Sequence, residues 1–68
     1  MSAFNTGLPS VRQIQTVIKE KKAVEIGLTT NKVLNGNILW QDENCLCLTE
    51  HNRKTLIWLH SIAYITLS

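Results

Sequence analysis

Hydrophobic positions along this chain follow two periods. Val11, Ile14, Val17 and Ile18 recur at three- and four-residue spacing, which predicts an amphipathic helix over residues 11–21. Ser10 stands where a side-chain oxygen can accept a bond from a free amide of the first turn. Gln13, three residues on, can bond back to the Ser10 amide. Lys19, Lys21 and Lys22 crowd the far end, where the helix dipole favours cations. From residue 24 the period drops to two. Val24, Ile26 and Leu28 alternate with Glu25, Gly27 and Thr29, the pattern of a half-buried strand. A turn at Asn31-Lys32 leads to a second strand over residues 33–41. Leu34, Gly36, Ile38 and Trp40 share one of its faces, and Val33, Asn35, Asn37, Leu39 and Gln41 the other. Gly36 in mid-strand marks a sharp bend or a close backbone approach. After a turn at Asp42-Glu43-Asn44, residues 45–49 form a short strand with Leu46 and Leu48 on one side. A polar loop follows over residues 50–54. Two more strands, 55–59 and 62–66, flank His60-Ser61.

One helix and five short strands with closely spaced turns predict a small closed or bent antiparallel sheet. The last two strands are apolar on both faces: Leu56, Ile57, Trp58 and Leu59, then Ile62, Ala63, Tyr64 and Ile65. A strand buried on both faces needs a cover. In a chain of 68 residues the expected cover is a second copy, since an open edge invites pairing between subunits. A domain this small leaves much of its surface wet and gains from oligomerisation. Residues 1–9, small and polar and ending in Gly7-Leu8-Pro9, read as a flexible arm before a single domain over residues 10–68.

Composition removes several classes. Seven basic against five acidic residues give +2, too little for a basic tail and too balanced for disorder. The longest wholly apolar stretch, Leu56-Ile57-Trp58-Leu59, is far short of a membrane span. The first residues lack the basic and apolar regions of a secretory signal, so a cytoplasmic location without membrane insertion is expected. Cys45 and Cys47 share a strand face with His51 nearby, but a zinc site needs four ligands and no second pair follows. Buried reduced thiols are the expectation, with no metal and no cofactor. No nucleophile–base pair, phosphate loop or convergent carboxylate pair supports an enzyme.

Three stretches taken together resemble the bacterial Sm-like proteins of the Hfq family. They are Val24-Glu25-Ile26 through Val33-Leu34-Asn35-Gly36-Asn37-Ile38, then Gln41-Asp42 with Leu46-Cys47-Leu48, then Trp58-Leu59-His60-Ser61-Ile62. A helix first, a bend glycine and a late histidine, at this length, carry the resemblance over residues 10–66. The head Gly7-Leu8-Pro9-Ser10-Val11-Arg12-Gln13 and the segment Trp40-Gln41-Asp42 look like the cyanobacterial branch. The resemblance implies a strongly bent five-stranded barrel with the helix on top. It also implies a homohexameric ring closed by pairing the fourth strand of one subunit with the fifth of the next. Six copies at +2 each would carry about +12, enough to attract a polyanion.

The resemblance also implies three RNA surfaces. On the pore face the family stacks uridines on an aromatic and holds them with a Lys-His pair. Here Gln41 stands at the aromatic position and Leu59 at the lysine position, with His60 retained and Asp42 as a loop-fixing carboxylate. Stacking supplies roughly 1–3 kcal/mol per base, so an amide there weakens the pocket. His60 has a plainer reading as a structural histidine at a strand junction. On the opposite face the family's tyrosine, glycine and lysine correspond to Gly27, Asn31 and Val33. Asn35 can still bond a base edge and Tyr64 can line a pocket, or Tyr64 simply packs at the subunit seam. On the rim, Arg12, Lys19, Lys21 and Lys22 replace an arginine patch. They hold phosphates without reading bases, or are only a solvated helix end. The function implied is RNA-chaperone-type post-transcriptional regulation. The alternative from the same resemblance is a protein-interaction hub with little RNA binding, linked to type IV pilus motility through the pilus motor ATPase.

Overall fold

The computed structural model describes residues 7–67. The expected arm therefore lies outside the described residues over positions 1–6. Helix α1 spans Pro9–Glu20, two residues earlier than the periodicity suggested. Leu8 is the N-cap, without a side-chain bond, and Pro9 opens the helix. Proline suits that position, because its φ is already helical and it has no amide to leave unbonded. Ser10 is thus inside the helix and does not cap it. At the other end Lys21 adopts a left-handed conformation, φ 55°. Its amide donates to the Ile18 carbonyl at 3.2 Å and the Lys22 amide to the Val17 carbonyl at 3.1 Å. This is the Schellman closure, made here without glycine. Asn37 Nδ2 donates to the Lys21 carbonyl at 3.0 Å and helps hold it.

Five strands follow: β1 Ala23–Leu28, β2 Val33–Gln41, β3 Cys45–Glu50, β4 Arg53–Trp58 and β5 Ile62–Leu67, with a 3-10 turn Leu59–Ser61 before the last. They form one antiparallel sheet in the order β4-β3-β2-β1-β5. One helix and a five-stranded antiparallel sheet match the expected fold. The sheet does not close within the chain, because β4 and β5 lie at opposite edges and do not pair. The polar loop expected over residues 50–54 is a two-residue turn. His51 and Asn52 both have positive φ, 52° and 65°, the geometry that matches strand twist in a tight hairpin.

One face of the sheet packs on α1. Val17 meets Val24, Ile26, Ile38, Leu46, Leu48 and Ile57, with Ile14, Ile18 and Leu59 packed against them. Each such side chain, fully buried, contributes roughly 1.5–3 kcal/mol. Gly36 serves close approach: a Cβ there would run into the Thr49 carbonyl oxygen of β3.

The pairing of β2 with β3 shifts between Ile38 and Trp40, leaving Leu39 bulged. The extra residue exchanges the faces of everything after it. Uninterrupted alternation puts Trp40 beside Ile38 and Gln41 opposite. Instead Trp40 lies across from Cys47 on the outer face, and Gln41 lies across from Leu46 on the helix side. Trp40 and Trp58, which the sequence suggests as core or seam residues, are exposed and so stand outside the core of the chain, while Cys45 and Cys47 are free thiols buried in the outer face.

Candidate nucleic-acid interface

Because of the bulge, Gln41 meets the helix. Gln15 Nε2 donates to Gln41 Oε1 at 2.9 Å. Gln15 lies three residues after Arg12 and four before Lys19, so all three share one helical face. The structure thus sets Gln41 against the helical face that carries Arg12 and Lys19. Gln15 was missed in the sequence, although its spacing from Arg12 and Lys19 was visible there. Lys22 pairs with Glu20 at 3.1 Å, both side chains about half exposed, so part of its charge is locally met. No ion pair holds Arg12, Lys19 or Lys21 among the described residues.

Among the described residues no hydrogen bond links Gln41 to His60. The loop residue beside the 3-10 turn is Asn44, whose carbonyl accepts from the Leu59 amide at 2.9 Å. His60 is exposed, and its side chain makes no hydrogen bond among the described residues. Leu59 is partly buried against the core, which accounts for an apolar residue where the family carries lysine. Asp42 fixes the loop: its Oδ1 accepts from the Asn44 amide at 2.8 Å and the Cys45 amide at 2.9 Å. The Cys45 amide, then that of Asn44, hold its carboxyl below the usual value of 3.8. Burial, followed by the Asp42 charge, pushes the Cys45 thiol up and keeps it protonated.

On the face away from α1, β1 lies between the two expected residues. Glu25 pairs with Asn35 on one side and Thr66 on the other, and Gly27 with Val33 and Tyr64. Asn35 and Tyr64 therefore share this face, as diagonal neighbours across β1. The Tyr64 ring lies over Gly27, and its hydroxyl donates to Glu25 Oε2 at 3.3 Å. Loss of water around the ring, then Glu25, raise the pKa of that hydroxyl. Sequence reasoning missed Glu25, which puts a carboxylate beside Tyr64 and Asn35 on this face.

Among the described residues no three His, Cys, Asp or Glu side chains gather to hold a metal ion, and no helix is long and apolar enough to cross a membrane.

A family profile described as Hfq related matches residues 8–67. An Hfq protein from Anabaena sp., known from its crystal structure, superimposes with a TM-score of 0.83 at 44% identity, covering 90% of this chain and 98% of that one. The crystal structure of the pleiotropic translational regulator Hfq superimposes with a TM-score of 0.85 over 96% of this chain and 98% of that one, at 15% identity. At that identity the second match shows the fold alone. No curated protein sequence matches the chain. The profile spans nearly the whole chain and a solved member superimposes on it at 44% identity: the chain belongs to the Hfq family of Sm-like RNA-binding proteins and is not an enzyme.

Proposed function

We propose that the chain binds RNA non-covalently as a ring of identical copies, in the cytoplasm, in post-transcriptional regulation, and that the helix rim carries most of the binding. The observation behind this reading is the Gln15–Gln41 bond. It sets an amide pair, able to reach a base edge, on the helical face that presents Arg12 and Lys19 to phosphate. The two other surfaces are weakened. Gln41 supplies no stacking ring beside His60, and Glu25 opposes phosphate beside Tyr64 and Asn35. Ring closure is supported by the open edges of β4 and β5 and by Leu56, Trp58 and Tyr64, which are 54%, 52% and 47% exposed there. Weak contacts repeated around a ring add as avidity.

The face away from α1 supports a second reading, in which a protein docks there. Val33 and Tyr64 offer exposed apolar surface beside Glu25, which suits a basic or aromatic segment better than a polyanion. The pilus motor ATPase is the partner that the resemblance suggests.

Fluorescence anisotropy with short U-rich, A-rich and mixed RNAs separates the two. In a double-mutant cycle, Gln41→Ala and Arg12→Ala couple in RNA affinity, whereas Gln41→Ala and His60→Ala add independently. Coupling of Gln41 with His60 instead returns the site to the pore. Binding that ignores all three residues favours the protein hub.

A further inference from the structure

Asn37 connects two basic elements that are far apart in the chain. Its Nδ2 donates to the Lys21 carbonyl at the end of α1, and its own carbonyl accepts from Thr49 Oγ1 at 3.2 Å. Ala23, Asn37, Thr49 and Lys54 are register partners on four adjacent strands. Register partners point to one face, and three strand spacings place the ends of this row about 14 Å apart. Lys21 and Lys22 stand just before Ala23. Arg53 pairs with Glu50 one step beyond Lys54, at the hairpin tip.

Arg53 and Lys54 are exposed, and no ion pair holds either among the described residues. Glu50 leans instead toward His51, at 3.8 Å. A surface groove of about 530 Å³ runs along this end of the sheet, lined by Asn37, Leu39, Thr49, Arg53 and Lys54 among others. Leu39, on the same outer face as Asn37, projects into it and is 46% exposed. The groove thus combines cations at its rim, amide and hydroxyl groups along its floor, one apolar surface, and the Glu50 carboxylate, which is turned toward His51.

We propose that the hairpin Arg53–Lys54 is a second phosphate-binding point for single-stranded RNA, whose backbone passes from Lys21 across Asn37 to the β3–β4 tip. The proposal deepens the rim reading and rests on it. Neutral hydrogen-bonding groups between two cationic ends suit a sugar–phosphate chain, and Leu39 gives a ribose or base an apolar rest. An acidic peptide would use the cations but not the row between them.

The test is the salt dependence of RNA affinity, measured by anisotropy on the full chain with a mixed-sequence single strand. Every phosphate that a variant leaves unneutralised lowers the slope of log K against log salt by about 0.7. Arg53→Ala with Lys54→Ala is expected to flatten the slope by about 1.4 per engaged chain, and the exchanged pair Arg53→Lys with Lys54→Arg to retain it. Lys32→Ala, in the turn at the opposite end of β2, controls for net charge. If Lys21→Ala flattens the slope and the hairpin pair does no more than Lys32→Ala, the rim reading stands and the hairpin proposal is overturned. If neither changes it, both fall. A hairpin variant that keeps the RNA slope but no longer binds a polyglutamate peptide assigns the tip to an acidic protein and overturns the proposal.

Discussion

The Tyr64 ring of β5 occupies the space above Gly27 of β1 that a side chain would otherwise fill. Gly36 meets a different obstacle, since a Cβ there would strike the Thr49 main-chain carbonyl. The two sites differ in what can yield. A half-exposed ring can swing into water, while a carbonyl held in the sheet cannot.

Alanine at the two glycines should therefore behave differently. Gly36→Ala forces strands apart and should cost at least about 1–3 kcal/mol in chemical denaturation. Gly27→Ala should lower the melting temperature only slightly, and not at all when Tyr64→Ala has already removed the ring. An equal drop in both backgrounds would show that the ring is not what excludes a side chain at residue 27.

Asp42 makes the 42–45 loop sensitive to acid. Two backbone amides stabilise its ionised form, so its folded pKa lies below the unfolded value near 3.8. That stabilisation is complete at pH well above 3.8 and disappears as pH falls through the lowered folded value. Asp42→Asn should accordingly be less stable than the parent at neutral pH, with the gap narrowing on acidification. Melting curves across acidic and neutral pH measure it, and a gap that widens toward low pH would contradict this role.

Trp58 and Ile62 separate assembly from folding. Trp58 is half exposed on edge strand β4, whereas Ile62 packs against the core cluster. Trp58→Asp should yield a folded single subunit in sedimentation velocity, with circular dichroism unchanged. Ile62→Asp should lose both ring and fold. Intact rings in Trp58→Asp would remove the Thr55 to Thr66 region from the seam.

The repeat of apolar residues was enough to read α1 and all five strands within about two residues, and to place Val17, Val24, Ile26, Ile38 and Leu46 inside. Burial follows period, and period is a local property of the chain. The close approach at Gly36 was legible, as one of two readings, because an isolated glycine in an apolar strand has few other uses. The start of α1 was misjudged because serine and proline both favour a helix opening, and only the path of the chain decides between them.

The candidate site was less legible. Its composition turns on Leu39, a residue with nothing unusual about it, which the strand pairing leaves bulged. One unpaired residue reverses the faces of a pleated strand. Gln41 was thereby carried to Gln15 on α1 and Trp40 to the outer face, while Leu39 stays on the face of Asn37, in the groove beside Arg53 and Lys54. Likewise, only the register across β1–β4 brings the end of α1 into line with the hairpin tip, because residues separated by some thirty positions share a row through hydrogen bonds between strands. Local alternation specifies which residues are apolar neighbours along a strand. Which face they present, and what lies across from them, depends on pairing energies summed over the whole sheet.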